Sequence, residues 1–170
     1  MKNSLLLIVI ILFCFNSFGQ QTGKPISFVS IEIVDSAMKK EALYFNGMEW
    51  LAKHFTNANK VIQVSDKDAG LILAKGSFTY KAPGYMLSSE ETRSISFLLK
   101  FSFKDGKYRL ELSDFTDETL GIVTNGDYED HSLSKKNIQK QWKIIQEETQ
   151  SNIVSIHKSI KEFMERNADW

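Results

Sequence analysis

The pair Asp105-Gly106 is the feature that most constrains this chain, because it sits between two runs that alternate apolar and polar residues. Asp-Gly suits a two-residue type I′ turn, in which both central residues need positive φ. Such a turn sets the strand register. Phe103 then lies opposite Tyr108, Phe101 opposite Leu110, and Leu99 opposite Leu112, all on one face. The other face pairs Lys100 with Glu111 and Ser102 with Arg109. Turn chemistry and hydrophobic pattern agree independently, which predicts a half-buried antiparallel hairpin.

The rest of the chain supplies elements for that hairpin to pair with. Ile26 to Val34 alternates, with Val29, Ile31 and Ile33 on one side and Ser30 and Glu32 on the other. This predicts a strand that buries its apolar side. Asp35 and Ser36 are good N-caps for a helix running to about Phe55, with Met38, Ala42, Phe45, Met48, Ala52 and Phe55 as its stripe and Leu51 widening it. Gly47 sits mid-helix at a cost of about 1 kcal/mol against alanine, which a close helix–sheet contact would explain. Residues 56–59 read as a loop, and strands follow at Val61 to Ser65 and Leu71 to Tyr80. In the latter Ile72, Ala74, Gly76, Phe78 and Tyr80 share a face, and the glycine marks a bulge or a close backbone approach. Leu120, Ile122 and Val123 suit a short edge strand. A helix from about Ser134 to Arg166 carries Ile138, Trp142, Ile145, Thr149, Ile153, Ile156, Ile160 and Phe163 near the 3.6 period. The order β-α-β-β-β-β-α predicts an α+β fold: an antiparallel sheet with both helices on one face and a largely polar opposite face.

The first nineteen residues read as a cleaved signal peptide. Lys2 is the charged start, Leu5 to Phe15 is an apolar run too short to span a bilayer, and Ser17 and Gly19 suit a signal peptidase. Cys14 is the chain's single cysteine, and Phe13 before it does not fit a lipobox, so the chain is not read as a lipoprotein. Removing residues 1–19 from the 170 leaves 151, read as one domain spanning 20–170 that holds together without disulfides or thiolate ligands. Losing Lys2 leaves 20 basic residues against 21 acidic ones. A duplex-DNA binder usually carries a basic excess, so no nucleic-acid partner is expected. The expected location is the periplasm or outside the cell, with no membrane span after cleavage.

An ordered set of residues carries a family resemblance. It comprises Tyr44, Trp50-Leu51 and Phe55 on the first helix, then Val61-Ile62, Asp66, Ala69-Gly70 and Lys75-Gly76 on the strands. Lys104-Asp105-Gly106-Lys107-Tyr108-Arg109 and Phe115 complete it. Over roughly residues 36 to 115 the chain resembles an exported bacterial family of unknown function with a TATA-binding-protein-like (TBP-like) fold. The resemblance implies the β-α-β4-α arrangement and a Gram-negative envelope or secreted setting. It implies no activity, because fold does not carry function.

Sequence motifs for catalysis are lacking. Lys75-Gly76-Ser77-Phe78 lacks the second glycine of a nucleophile elbow, and neither a zinc-protease helix motif nor a phosphate-binding glycine loop occurs. The histidines are His54, His131 and His157; His54 and His157 lie on different helices with no i, i+4 partner and read as helix-surface residues. Asp127, Glu129 and His131 alternate in the acidic segment 116–132, but calcium-loop spacing does not follow, so a solvated loop is the simpler reading. Glu111, Asp114, Asp117 and Glu118 could supply a glycosidase-like carboxylate pair, although Glu111 opposite Lys100 reads more simply as a cross-strand ion pair. No catalytic residue, metal ligand or cofactor is therefore assigned.

The binding candidates are aromatic and apolar. Trp50 lies off the expected helix stripe, where it would cap the sheet edge or line a groove, and Tyr44 and Tyr80 are also less clearly inward. Tyr85, Met86 and Leu87 follow Pro83-Gly84 in a loop that is apolar for its position. The expectation is a non-enzymatic binding or protein-interaction module of the cell envelope, taking a protein or small ligand. The alternative is a secreted carboxylate-dependent hydrolase using Asp114 or Glu111.

Overall fold

The computed structural model describes residues 20–83, 90–129 and 135–166. The elements run β1 (Gln20–Gln21), β2 (Phe28–Ile33), α1 (Lys40–His54), α2 (Ala58–Val61), β3 (Ile62–Asp66), β4 (Leu71–Pro83), β5 (Glu90–Lys104), β6 (Lys107–Asp117), β7 (Gly121–Ile122), β8 (Tyr128–Glu129) and α3 (Lys135–Arg166). Among the described residues, β2 through β7 form one antiparallel sheet in the order β2-β6-β5-β4-β3, with β7 also on β6, and β1 pairs separately with β8. Residues 1–19, the expected leader, lie outside the described residues.

The β5–β6 hairpin has the expected register throughout: Phe103 with Tyr108, Phe101 with Leu110, Leu99 with Leu112, Lys100 with Glu111, and Ser102 with Arg109. The turn differs from type I′. Gly106 has φ 74°, but Asp105 does not take a positive φ. Its carboxylate instead accepts from the Lys40 backbone N–H at 2.8 Å and from Lys39 Nζ at 3.4 Å, while Gly106 N–H donates to Met38 O at 2.8 Å. The turn is therefore bound to the start of α1. The Lys40 N–H bond, ahead of the charges of Lys39 and Lys40, holds the Asp105 carboxyl below its usual range.

Helix α1 begins later than Asp35 and Ser36 suggested. The Asp35 carboxylate accepts from Ala37 N–H at 2.9 Å in a local turn, and the helical backbone starts at Lys40. Its buried stripe is also rotated from the expected one. Leu43, Tyr44, Gly47, Trp50 and Leu51 face inward, while Phe45 is exposed. Gly47 explains the choice: a Cβ there would meet Phe103 Cζ at 2.5 Å, so this face approaches the sheet closely enough to require glycine. Gly76 plays the same part in β4, where a Cβ would lie 2.5 Å from Cζ of its cross-strand partner Phe97.

The second long helix, α3, lies on the same sheet face as α1. It buries Trp142, Ile145, Thr149, Ile153, Ile160 and Phe163 from the expected stripe and adds Met164. Residues 58–61, which span the end of the expected loop (56–59) and the expected start of the strand at Val61, form the short α2, and β7 occupies the edge position expected near Ile122. Asp114 has φ 55° where Phe97 alone faces Asp114 and Phe115, a β-bulge that turns β6.

Strand β2 overturns one expectation. Val29, Ile31 and Ile33 are 52%, 65% and 81% exposed, and Phe28, Ser30 and Glu32 face the helices. The register with β6 decides this. Phe28, Ser30 and Glu32 pair with Leu112, Leu110 and Tyr108, which are buried, while Val29, Ile31 and Ile33 pair with Glu111, Arg109 and Lys107. Antiparallel partners share a face, so burying the aliphatic set would require a one-residue slip along the whole strand.

Candidate functional site

The sheet face opposite the helices presents the main accessible chemistry. Cross-strand pairing lays its residues out in rows. One row runs Val29, Glu111, Lys100, Leu73 and Val64, and the next runs Ile31, Arg109, Ser102, Leu71 and Asp66. Glu111 Oε1 accepts from Lys100 Nζ and from Arg109 Nε, each at 3.2 Å. The centre of the face is thus an ion cluster of one carboxylate and two cations, flanked by aliphatic side chains on β2 and on β3–β4. The expected polar face is correct for its middle and wrong for its margins. Glu111 is held between two cations, and Asp114 is exposed at the bulge with its carbonyl accepting from Thr116 Oγ1 at 3.0 Å.

Beneath β2, Glu32 is tied to α3. Its carboxylate meets His157 Nε2 at 2.9 Å and Lys161 Nζ at 3.2 Å, and the His157 ring lies 4.9 Å from that of Phe28. Burial acts to raise the Glu32 pKa, but the bonds and charges of His157 and Lys161 together outweigh it and hold the carboxyl below its ordinary value. Beside it the Tyr108 hydroxyl and Ser30 Oγ are buried without a hydrogen-bond partner among the described residues. Burial, then the charges of Glu32 and Glu165, push the Tyr108 hydroxyl pKa up.

Trp50 is buried on the inner face of α1, edge-on to Phe101 and stacked on His54 at 4.4 Å between ring centroids. Its Nε1–H donates to Ser159 Oγ at 3.1 Å, and Ser159 Oγ lies 3.0 Å from His54 Nε2. His54 Nδ1 is 2.8 Å from Trp50 O, so Nδ1 carries the proton and Nε2 accepts from the serine. A serine hydroxyl on an oriented imidazole is the geometry of an activated nucleophile. Ser159 sits mid-helix, however, where its own and neighbouring N–H groups are taken by the helix, and its oxygen already accepts from the indole. Its own backbone thus provides no oxyanion donors, and the group acts as a clasp between α1 and α3.

Tyr80 is also interior. Its hydroxyl donates to Asp117 Oδ2 at 2.7 Å, and Arg93 Nη2 reaches Asp117 Oδ1 at 2.5 Å. Thr119 N–H and Leu120 N–H donate to the same Oδ1 at 3.0 and 2.8 Å, so Asp117 organises the turn into β7. Burial, reinforced by Asp117, pushes the Tyr80 hydroxyl pKa up. Tyr44 is buried too and hydrogen-bonds Ser65. The pattern left the facing of Trp50, Tyr44 and Tyr80 less clear than that of the other aromatics, and the structure puts each in the layer between helices and sheet. Tyr85, Met86 and Leu87 lie outside the described residues, as does His131. Among the described residues no group of three His, Cys, Asp or Glu side chains could hold a metal ion, and no helix is long and apolar enough to cross a membrane.

Sequence reasoning missed the Arg93–Asp117 pair, the Trp50–Ser159–His54 clasp and the exposed β2 face. The clasp and the ion pair join residues separated by 109 and 24 positions, for which a single sequence carries no pairing signal. The inward turn of α1 did have a signal, in Gly47.

A family model described as a domain of unknown function (DUF4468) with TBP-like fold matches residues 31–117. Two solved structures are similar. A DUF4468 family protein from Bacteroides ovatus has a TM-score of 0.52 and 13% identity, over 85% of this chain and 91% of that one. A TBP-like protein from Parabacteroides distasonis has a TM-score of 0.50 and 13% identity, over 84% of this chain and 96% of that one. At such identity the likeness shows the fold alone. No curated protein matches the chain.

Proposed function

We propose that this chain, which belongs to the family of domains of unknown function with TBP-like fold (DUF4468), is an exported, non-enzymatic module that docks a protein partner in the cell envelope. The observation that carries this reading is the aliphatic margin on β2 of the sheet face opposite the helices, where Val29, Ile31 and Ile33 stand exposed among the described residues beside a polar centre. Grouped exposed aliphatic side chains bordered by polar residues mark interaction surfaces. Export rests on Lys2, the apolar run Leu5 to Phe15, and the small residues Ser17 and Gly19.

The test is capture from envelope extract with the wild-type protein and with a Val29→Ser/Ile31→Ser/Ile33→Ser variant. The side chains are already exposed, so the variant folds, and a specific captured protein disappears. A parallel variant with Tyr85, Met86 and Leu87 changed to Ser reports whether that loop contributes. Identical capture by wild type and the β2 variant removes the sheet margin as the docking surface. Turnover in a glycoside and peptide screen that is lost in a folded Asp114→Asn variant would overturn the non-enzymatic reading.

A further inference from the structure

The docking reading leaves the partner unnamed. Resting on it, we propose that β2 pairs with a second copy of itself, antiparallel, across a two-fold axis at Ile31.

The two ends of the main sheet differ in how they meet solvent. At one end β3 is short, breaks register between Ile62 and Val64, and ends in Ser65 and Asp66. Irregular, polar edges of that kind resist strand addition. At the other end β2 runs six residues against β6 without a register shift, and no described strand pairs with its outer edge. It contains no proline and no lysine, and its one charge, Glu32, points inward to His157 and Lys161. A regular, apolar edge strand is a template for another strand.

The sequence of β2 is complementary to itself in one register. A two-fold axis at Ile31 places Ile31 against the partner subunit's Ile31 and Val29 against the partner subunit's Ile33. Every aliphatic residue on the open face then meets another, in the cross-strand contact that stabilises sheets. On the inner face the same register sets Ser30 across from the partner subunit's Glu32. An axis at Ser30 instead would oppose Glu32 to Phe28, which leaves the carboxylate facing a ring. The Ile31 axis also keeps the two Glu32 charges from facing each other. An isologous contact of this kind closes as a dimer.

Sedimentation of the purified protein tests the state, and cysteine pairing tests the register. The wild type sediments at twice the chain mass, and Ile31→Lys halves that mass while keeping the wild-type circular dichroism spectrum; its melting temperature loses the dependence on protein concentration that a dimer shows. With Cys14 replaced by serine, Ile31→Cys forms an intermolecular disulfide, because directly opposed Cα atoms lie about 4.5–5.5 Å apart, within disulfide reach. Val29→Cys and Ile33→Cys do not crosslink alone but do so when mixed. A dimer unaffected by Ile31→Lys, or Val29→Cys crosslinking alone as readily as Ile31→Cys, overturns the proposal. So does a monomeric wild type. A monomer whose β2 variant still loses an envelope partner removes self-pairing and leaves the docking reading intact, whereas a monomer that captures nothing removes both.

Discussion

Replacing Asp117 with leucine should destabilise the fold severely, and replacing Arg93 along with it should restore much of the loss. Asp117 is 1% exposed and Arg93 6%, so the pair sits where water cannot take over for a missing partner. In Asp117→Leu the Arg93 guanidinium stays buried without its anion, which costs about 3–5 kcal/mol. The Tyr80 hydroxyl and the N–H groups of Thr119 and Leu120 lose their acceptor in the same change. Against a total stability of about 5–15 kcal/mol, this leaves a marginal protein. For a chain of this size it lowers Tm by roughly 6–20 °C. Adding Arg93→Met removes the stranded charge and leaves only the smaller cost of the unpaired neutral donors. The double variant should therefore be more stable than Asp117→Leu alone, with coupling of about 2–3 kcal/mol. Asp117→Asn, which keeps an acceptor for the two N–H groups, should fall between wild type and Asp117→Leu. Urea unfolding at pH 7 with an unchanged m-value reads these four proteins and the single variant Arg93→Met, which completes the cycle. A loss below about 1 kcal/mol in Asp117→Leu, or losses that simply add in the double variant, would refute the reasoning.

Two other perturbations follow from particular contacts. Gly47→Ala gains about 1 kcal/mol of helix propensity but drives a methyl into the Phe103 ring, which is stacked on Phe101 at 5.3 Å and cannot retreat freely. The net result should be destabilisation of about 1–2 kcal/mol in urea unfolding, and a stabilised variant would show that α1 is not pressed on the sheet there. Glu32 has a lowered folded pKa, so its contribution is complete above the ordinary carboxylate value of 4.5 and is lost as pH falls through the lower folded value. The stability difference between wild type and Glu32→Gln should therefore shrink on acidification through that window, and a difference that stays constant would dissociate Glu32 from His157 and Lys161.

The parts of the fold legible in advance are those where short-range pattern and turn chemistry act together. The β5–β6 register followed from Asp105-Gly106 and two alternating runs, and the buried side of α3 followed from its long apolar period. The turn type did not follow, because Asp105 is held by the start of α1, which is distant in sequence. Helix α1 offered two stripes at helical spacing. Only the packing of Gly47 against Phe103 selects the one with Trp50 and Leu51. The candidate site was the least legible part. The apolar pattern did not settle the facing of Trp50 and Tyr80, which depends on the partners Ser159 and Asp117, distant in sequence. Aliphatic alternation in β2 read as core until β6 fixed which side faces the helices.

Sequence alone determined the main elements, their order and the antiparallel hairpin at the centre of the sheet, since these depend on residues within a few positions of one another; the short β1, α2 and β8 were not legible in it. It also determined that the sheet has one apolar face for two helices to cover. The tertiary structure decided the parity of β2, because a strand has a side-chain period of two and takes its facing from the neighbour it pairs with. That neighbour, β6, is about eighty residues away, and its pairing turns Val29, Ile31 and Ile33 outward to make the surface on which the functional reading rests.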